Sequence, residues 1–544
     1  MTGGWTGHLM IAPILLPLVA GAALLFIDER RRVTKATFSL ASVLALLVIA
    51  IALLRFADAP SGAGTGVYLL GNWPAPFGIV LVVDRLSALM LVVTGVLATA
   101  SLVFALARWH RAGSHFHTLF LLLLMGLNGA FLTGDLFNLF VFFEVLLAAS
   151  YGLVLHGSGP LRVRAGLHYI AINLAASFLF LIGVSLIYGI TGTLNMADLA
   201  ERIPAVAADD RMMLEAGAAI LGVAFLVKAG MWPLSFWLPT AYSAAAAPVA
   251  AIFAIMSKVG VYILLRLSLL LFGAGAGASA GFGGNWLLVG GLATISFGAI
   301  GVLASQGMGR LAGYSLLVSS GTLLAAVGMG NVAITAGALF YLVSSTLTIG
   351  AFFLLIELLE RGQNPAADVI AVTMEAFGDT EEDDAEEEAG VPFPATLAIL
   401  GISFAGCGLL LAGLPPLSGF IAKFALLTAM FNPEGLGTGG LVSAATWTFA
   451  ALLILSGLSA LIAMTRAGIR TFWAAIDSTV PHVLVVEVAP VAALLLLCAA
   501  LTAQGGPVMS YMEATARSLH APQDYVSGVM TAPRTERPQA EQTR

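Results

Sequence analysis

The chain has 544 residues, of which 59% are hydrophobic and only 10% are charged, and its formal net charge is −6 at pH 7. Soluble domains carry about 25% charged residues, so this composition excludes an ordinary soluble protein and predicts one embedded in lipid. No cysteine–histidine cluster, glycine-rich phosphate loop or basic nucleic-acid stripe is present in the sequence, so we expect no metal, cofactor or nucleic-acid partner.

Apolar runs of about 20 residues, the length that crosses a bilayer, recur along the whole chain. The first run lacks a basic start and is followed by its charges, so we expect a retained span rather than a cleaved signal. The pattern predicts an all-α polytopic membrane protein with about fourteen transmembrane helices. They are placed near 8–27, 36–55, 78–107, 116–133, 135–156, 163–190, 212–242, 246–271, 285–305, 311–330, 334–359, 393–431, 442–465 and 482–503.

Positive charge predicts the orientation of these spans. If the N-terminus lies outside, the short outside connections carry only Arg202 and Arg211, and the C-terminal tail adds four arginines. Basic residues favour the cytoplasmic side, so we expect both termini to lie outside. The inside connections carry Arg30, Arg31, Arg32, Lys35, Arg108, Arg111, Arg162, Arg164, Arg310, Arg361, Arg466 and Arg470.

Two segments are not predicted to span the membrane. Residues 375–388, "EAFGDTEEDDAEEE", form an acidic run in a cytoplasmic loop, which we interpret as solvated and flexible; attraction of cations is the alternative. Residues 507–544 are polar and contain proline, and we expect a loosely ordered tail.

Four carboxylates near the ends of spans have local explanations. Asp84 and Asp135 are expected to cap the third and fifth helices. Glu357 and Glu360 end the eleventh span, where we expect them to be solvated.

Three of the four lysines lie inside apolar spans: Lys228, Lys258 and Lys423. Arginine stays charged in proteins, whereas a buried lysine changes its protonation state readily. A charge at the bilayer centre costs about 2.5–3.5 kcal/mol on insertion scales. Structural ion pairs are one explanation, but three amines cannot pair with the single well-placed carboxylate of Glu144. The concentration of lysines inside the spans therefore favours a proton or ion path. Glu144 and Lys258 are expected to lie near the midplane of the membrane.

Two long spans, the seventh and the twelfth, share the pattern G-x-x-P-L-S. Its proline is Pro233 in the first and Pro416 in the second. Proline removes a backbone hydrogen bond and clashes with the preceding turn, so both helices should break there. Spans seven and twelve cross the membrane in opposite directions, which is typical of inverted repeats whose broken helices mark the transport site.

These motifs resemble a known family. "TGDLFNLFVFFEVLLAASYGLV", "KAGMWPLSFWLPTAYSAAAAPVAAIFAIMSKVGVY" and "GLPPLSGFIAKFALL" resemble the antiporter-like subunits of respiratory complex I and its relatives, above all the D-type subunits of Mrp multisubunit sodium/proton antiporters. The resemblance covers roughly residues 70–470. It implies fourteen helices, two inverted five-helix repeats, a bacterial plasma membrane and assembly with other Mrp subunits.

The implied organisation has five parts. They are helices one to three in 1–110, the first repeat with helices four to eight in 111–272, the second repeat with helices nine to thirteen and the acidic loop 361–391 in 273–470, helix fourteen in 471–506, and the polar tail in 507–544.

The resemblance also implies roles for the charged residues. Glu144 matches the family's helix-five glutamate and Lys228 its helix-seven partner, so making or breaking this pair would switch the lysine. Lys258 matches the central lysine of helix eight, and Lys423 matches the terminal lysine of helix twelve.

One position departs from the family. Helix eleven usually offers a histidine or lysine, but here it carries Ser344, Ser345 and Thr348. Hydroxyls can order water but do not hold a proton near pH 7, so the link between the central and terminal lysines must rely on water. His168 in the sixth span is a further candidate for the path, near the cytoplasmic entrance; a packing histidine is the alternative.

Three functions remain open at this stage. The first is a non-enzymatic subunit of a secondary transporter that moves protons through a Glu/Lys/water path coupled to Na⁺ export. The sequence shows no compact acidic sodium cage, which favours a proton path in this chain and Na⁺ in a neighbouring subunit. The second is a proton-pumping subunit of a complex I-like or membrane hydrogenase assembly, and the third is a structural scaffold.

Overall fold

The computed structural model describes residues 7–59, 65–361, 394–432, 442–472 and 483–534. Within these ranges the protein is all-α, apart from a short antiparallel pair of β1 (Gly66–Leu69) and β2 (Val80–Val83). The acidic run 375–388 lies outside the described residues.

Nineteen α-helices occur in the described ranges, and each of the predicted spans overlaps at least one of them. Eleven are long and apolar enough to cross a membrane. The helices are α1 (Ala12–Leu25), α2 (Arg32–Asp58), α3 (Arg85–Ala107), α4 (Phe116–Leu132), α5 (Leu136–Val154), α6 (Pro160–Thr191), α7 (Met196–Arg202), α8 (Ala208–Ala229), α9 (Leu238–Ala244), α10 (Ala247–Leu271), α11 (Gly284–Ala304), α12 (Met308–Met329), α13 (Val332–Arg361), α14 (Pro394–Ala412), α15 (Ser418–Phe431), α16 (Ala444–Phe472), α17 (Val485–Ala503), α18 (Gly505–His520) and α19 (Gln523–Met530).

The seventh and twelfth predicted spans are both broken. Pro233 lies in the non-helical segment between α8 and α9, and Pro416 lies between α14 and α15. The first interruption is the longer one, because α9 begins only at Leu238.

Both breaks begin in the same way. The helix ends at a glycine in the left-handed conformation, Gly230 with a φ of 74° and Gly413 with a φ of 75°. Glycine adopts this conformation without a Cβ clash and is therefore the usual helix terminator. In each break the next N–H donates to the carbonyl oxygen five residues earlier, at 3.0 Å in both cases. The shared sequence pattern thus produces a shared backbone geometry.

Helices α10 and α13 form the centre of the bundle. The membrane-spanning window of α10 is enclosed along its whole length, and that of α13 is almost as fully buried. Helices α3, α8, α12 and α13 all pack against α10. Lys258 therefore lies on the most enclosed helix of the described protein.

The expectation of a loosely ordered tail is wrong for residues 507–530, most of which lie in α18 and α19. Helix α18 buries Met512, Ala516 and Leu519, and α19 buries Tyr525 and Val529. The spacing of the first three residues, i, i+4 and i+7, gives an apolar stripe that a packed helix can bury. This stripe outweighs the polar composition of the segment.

The expectation of solvated carboxylates at the end of α13 is wrong for one of the two. Glu357 accepts a hydrogen bond from Trp109 Nε1 at 2.7 Å and pairs with Arg361, which also pairs with the fully buried Glu487. Glu360 is exposed, as expected. The Glu357 network ties α13 and α17 to the connection between α3 and α4.

Candidate functional site

The three lysines of the spans are all buried, with exposed fractions of 7% for Lys228, 0% for Lys258 and 8% for Lys423. Each ammonium donates only to uncharged oxygen atoms, and none forms an ion pair with a described residue. Buried ion pairs elsewhere in the described bundle use arginine instead, as in Arg266–Asp84.

Lys228 lies at the end of α8, two residues before the break. Its Nζ donates to Asn173 Oδ1 on α6 at 3.4 Å and lies 5.2 Å from the ring centre of Phe143 on α5. Asn173 is held in place because its Nδ2 donates to the carbonyl of Tyr169 at 2.8 Å. An aromatic face attracts an ammonium ion, so the ring and the amide together form an uncharged binding site for the lysine. Sequence reasoning missed Asn173, although an asparagine within an apolar span was a signal.

Glu144 is half-buried on α5, next to Phe143 in sequence. Its Oε1 is buried without a hydrogen-bond partner among the described residues, and no ion pair joins it to Lys228 there. Burying an unpaired carboxylate oxygen is costly, so this group needs a proton, water or the lysine as its partner.

Lys258 connects α10 to α12. Its Nζ donates to Ser319 Oγ at 2.8 Å and to Ser320 Oγ at 3.4 Å. Ser319 Oγ in turn shares a hydrogen bond of 2.9 Å with Ser345 Oγ on α13. The path residue Ser345 is therefore one hydroxyl away from the central lysine. Sequence reasoning missed the serine pair of α12, whose signal was two adjacent hydroxyls in an apolar span.

A cavity of about 30 Å³ is lined by Ser319 and Ser345. This volume holds about two water molecules. The candidate path residues Ser344 and Thr348 also line it, and Ser344 Oγ shares a hydrogen bond of 2.8 Å with Ser418 Oγ at the start of α15. The residues with polar side chains in its wall are Ser315, Ser319, Tyr341, Ser344, Ser345, Thr348 and Ser456.

Lys423 lies on α15 beyond the second break. Its Nζ donates to the carbonyl of Ala412 at 2.8 Å and to that of Leu411 at 3.4 Å. These carbonyls end α14 and lack helical partners, and a helix C-terminus favours a positive charge. Leu411 also lines the cavity. The hydroxyl-lined cavity thus extends from Ser319, which binds Lys258, to Leu411, one of the two residues that bind Lys423.

A family model described as NADH:quinone oxidoreductase/Mrp antiporter, TM, matches residues 133–448. The match covers more than half of the chain and includes the glutamate and all three lysines. The chain belongs to this family.

Relatives within the antiporter family align over nearly the whole chain. The D subunit of a probable K⁺/H⁺ antiporter of Rhizobium meliloti is 64% identical over 97% of this chain and 99% of its own length. The D subunit of a Na⁺/H⁺ antiporter of Alkalihalophilus pseudofirmus is 35% identical over 86% of this chain and 87% of its own. The chain is therefore a membrane subunit of the cation/proton antiporter type.

Two solved structures share the fold of this chain. A chain of the Mrp complex from a Dietzia species matches with a TM-score of 0.77 and 26% identity, over 96% of this chain and 99% of that one. A chain of an archaeal membrane-bound sulfane sulfur reductase matches with a TM-score of 0.78, over 96% of this chain and 99% of that one. Its 22% identity supports the fold alone.

His168 is not brought together with the other candidate residues of this chain. It lies on an exposed face of α6, whereas Asn173 on the same helix faces Lys228. The alternative of a packed histidine is not what the structure shows either.

A second buried polar group lies toward the other end of α10. Asp84 caps α3 by accepting from the Ser87 N–H at 2.8 Å, as predicted, and Asp135 caps α5. The sequence did not reveal that Asp84 also pairs with Arg266 of α10. The Arg266 guanidinium lies 5.2 Å from the ring centre of Tyr525, so this ion pair helps to hold the C-terminal helices.

Proposed function

We propose that the chain is the proton-translocating subunit of a multisubunit monovalent cation/proton antiporter. The proposed path runs through Glu144, Lys228, Lys258, the hydroxyl-lined cavity and Lys423. The observation that carries the proposal is that Lys228, Lys258 and Lys423, the three lysines inside the predicted spans, are bound by uncharged oxygen atoms alone.

Uncharged partners make these lysines suitable proton carriers. A lysine that loses its proton from an ion pair leaves a buried carboxylate without its counter-charge, which is strongly destabilising. When a lysine bound to an amide, a hydroxyl or a carbonyl oxygen loses its proton, no buried carboxylate is left without a counter-charge. The scaffold alternative predicts the opposite arrangement, in which buried basic side chains pair with carboxylates, as the guanidinium groups of Arg266 and Arg361 do in this protein.

Glu144 acts as the proposed switch for Lys228. Two opposite charges about 4 Å apart interact by about 4 kcal/mol at an effective dielectric of about 20. Pairing would therefore favour the charged lysine, and separation would favour proton release. In the structure Asn173 rather than Glu144 binds the amine, and this second partner supports the proposed switch.

Hydroxyls and water link the central and terminal lysines in this proposal. A hydroxyl both donates and accepts hydrogen bonds, so a chain of hydroxyls and water can pass a proton without storing it. Ser319 and Ser345 lead from Lys258 to the cavity, and the cavity wall includes Leu411, whose carbonyl binds Lys423.

The cation and the assembly are part of the same proposal. The relative that is 64% identical is named for a K⁺/H⁺ antiporter, so we infer that potassium must be tested beside the sodium expected from the resemblance. Partner subunits would complete the cation path, in a bacterial plasma membrane with both termini outside. A 32% identical N subunit of an NADH-quinone oxidoreductase keeps the redox-driven pump as the competing function.

Vesicles that contain the complete complex test the proposal. A preformed proton gradient is dissipated by adding K⁺ or Na⁺, without any electron donor, in wild type and in Lys258→Arg and Lys258→His at matched assembly. Arginine keeps the charge but does not release its proton, so Lys258→Arg should be inactive, whereas histidine titrates near neutral pH and should retain part of the exchange. Wild-type exchange in Lys258→Arg would eliminate Lys258 as a proton carrier. Proton movement only with an electron donor would favour the redox pump.

A further inference from the structure

The backbone at the first break is held by a side chain of α11. The Met231 N–H still donates to a carbonyl of α8, that of Leu226 at 3.0 Å. The next N–H, that of Trp232, donates instead to Thr294 Oγ1 on α11 at 2.9 Å. Pro233 follows and carries no N–H. The Trp232–Thr294 hydrogen bond therefore fixes the backbone immediately before the proline.

The surroundings of Thr294 suit it to this contact. Its side chain is fully buried, and its hydroxyl donates to the carbonyl of Gly290, one turn earlier on α11, at 2.6 Å. A hydroxyl has a single proton, so this bond leaves its lone pairs to accept the Trp232 N–H. Gly290 makes room for the preceding residue, because a Cβ there would collide with the Met231 sulfur. Gly290 and Thr294 together form a fitted site for the two residues before the proline.

The same threonine packs against α12 beside the residues that bind the central lysine. A Cβ at Gly321 of α12 would lie 2.9 Å from Thr294 Cβ. Gly321 directly follows Ser319 and Ser320, whose hydroxyls accept from Lys258 Nζ. Thr294 therefore touches the first break with its hydroxyl and the binding site of Lys258 with its carbon atoms.

Helices α11 and α12 are in close backbone contact over several turns. A Cβ at Gly291 would lie 2.8 Å from Ala325 Cα, and one at Gly298 would lie 3.0 Å from the backbone nitrogen of Val318. Glycine permits this close approach, and a close-packed interior transmits displacements instead of absorbing them. A shift of the break against α11 would consequently reach the serines of α12.

Lys228 depends on the same break. It lies in the last turn of α8 and precedes Trp232 by four residues. Its contact with Asn173 Oδ1 is 3.4 Å long, beyond the usual range for a hydrogen bond from nitrogen to oxygen, so a small displacement would break it. The place where α8 ends therefore determines whether Asn173 binds the amine.

We propose that Thr294 is a positioning residue that keeps the binding sites of Lys228 and Lys258 in register. Its hydroxyl fixes the break that follows Lys228, and its packing against α12 passes that position to the serines that bind Lys258. Thr294 belongs to the predicted second repeat, whereas both lysines belong to the predicted first repeat. This proposal rests on the proposed proton path and adds the residue that aligns its first two lysines.

A merely structural role and a positioning role predict different effects of removing the hydroxyl. In a structural role, the loss lowers Tm but leaves the exchange rate of each assembled complex unchanged. In a positioning role, Lys228 loses part of its contact with Asn173, and the pH dependence of exchange changes. On the alkaline side exchange stops when the amine cannot hold its proton, and fivefold weaker binding of the ammonium lowers that limit by about 0.7 pH unit.

The test uses Thr294→Val in the complete complex, at matched assembly, because valine removes the hydroxyl and keeps the shape. We expect exchange near neutral pH to fall about fivefold, the effect of about one lost hydrogen bond, and the alkaline limit to move down by about 0.7 pH unit. Thr294→Ser keeps the hydroxyl and should retain most of the wild-type rate and the wild-type limit.

Two further variants make the test specific. Gly290→Ala pushes Met231 away from the same site and should reproduce the fall and the shift. Thr94→Val on α3 is the matched control, because this buried hydroxyl donates only to the carbonyl of Met90 on its own helix. It should leave the rate of each assembled complex and the alkaline limit unchanged, and an equal shift in Thr94→Val would overturn the proposal.

Deuterium uptake by the same complexes supplies a measurement that does not depend on transport. In Thr294→Val the Trp232 amide should take up deuterium about fivefold faster than in wild type. A wild-type rate and an unmoved alkaline limit in Thr294→Val, or a loss as large in Thr294→Ser, would overturn the positioning role. Normal transport in Lys258→Arg together with a serine-rescued loss in Thr294→Val would refute the proton path and still retain Thr294 as a positioning residue.

Discussion

Lys423 donates to the carbonyl oxygen of Ala412 at 2.8 Å, across the break that separates α14 from α15. The break and the lysine therefore form one unit, because the interruption frees the carbonyl that the ammonium binds. Lys228 stands before its own break and binds an asparagine of another helix instead. The two breaks share their glycine geometry but present their lysines differently, which suits lysines at different points of one path.

The uncharged binding site of Lys228 predicts what happens when a negative charge is placed beside the lysine. Asn173→Asp would put a carboxylate at the present 3.4 Å contact and hold the lysine in its charged form. An added interaction of about 4 kcal/mol should lower exchange by about a hundredfold or more. Asn173→Ser, which keeps an uncharged oxygen, is the control and should retain more exchange than the aspartate variant. Equal rates in the two variants at matched assembly would contradict a requirement for an uncharged partner.

The recess around Lys423 is too tight for one added methyl group. A Cβ at Gly457 on α16 would lie 2.9 Å from Lys423 Nζ and would also press on the Ala412 carbonyl. Gly457→Ala should therefore displace the amine and lower exchange, although alanine is favoured over glycine in helices by about 1 kcal/mol. Gly222→Ala on α8 meets nothing within 4 Å and is the matched control. Exchange measured in vesicles should separate the two variants, and a neutral Gly457→Ala would show that Lys423 can relocate freely.

His156, just beyond the end of α5, predicts an acid-sensitive contact. Burial lowers its pKa, the nearby Arg162 lowers it further, and the hydrogen bond to the Trp109 carbonyl opposes these effects. Because the unfolded chain takes up a proton near pH 6.5 while the folded protein resists it, stability is lost as the pH falls below that value. Between pH 8 and pH 5, Tm should decline more steeply for wild type than for His156→Gln. Parallel declines would mean that His156 contributes nothing to the acid sensitivity.

The ion pair between Asp84 and Arg266 gives a prediction about folding rather than transport. Arg266→Met leaves the buried carboxylate uncompensated, which costs about 3–5 kcal/mol. Adding Asp84→Asn removes that charge and keeps a residue that caps helices well. Tm of the purified complex should therefore drop in the single variant and recover in the double variant. A double variant less stable than Arg266→Met would refute the charge argument.

Composition and local pattern predicted the spans and the breaks, because both depend on neighbouring residues. A run of about 20 apolar residues crosses a bilayer by itself, and a proline disrupts its own helix. The lysines were recognisable because ionisable groups are costly in such runs. None of this requires knowledge of which helices touch.

The partners of the lysines could not be predicted in this way. Ser319 is 61 residues from Lys258, and Asn173 is 55 residues from Lys228, so only the packing of remote helices brings them together. Hydroxyls and amides also occur at many places in apolar spans without any role in a path. The amphipathic spacing in α18 was visible in the sequence, but the polar composition of the segment concealed it.

The enclosure of α10 has a mechanical consequence. A helix packed on every side cannot swing without displacing its neighbours, and protein interiors resist such compression. Transporters that rock one repeat against the other need a helix bundle that is free to tilt. Because Lys258 lies on a helix that cannot tilt, we expect its access to the two sides of the membrane to alternate through side-chain rotation and wetting. The moving parts would then be single side chains and a few water molecules.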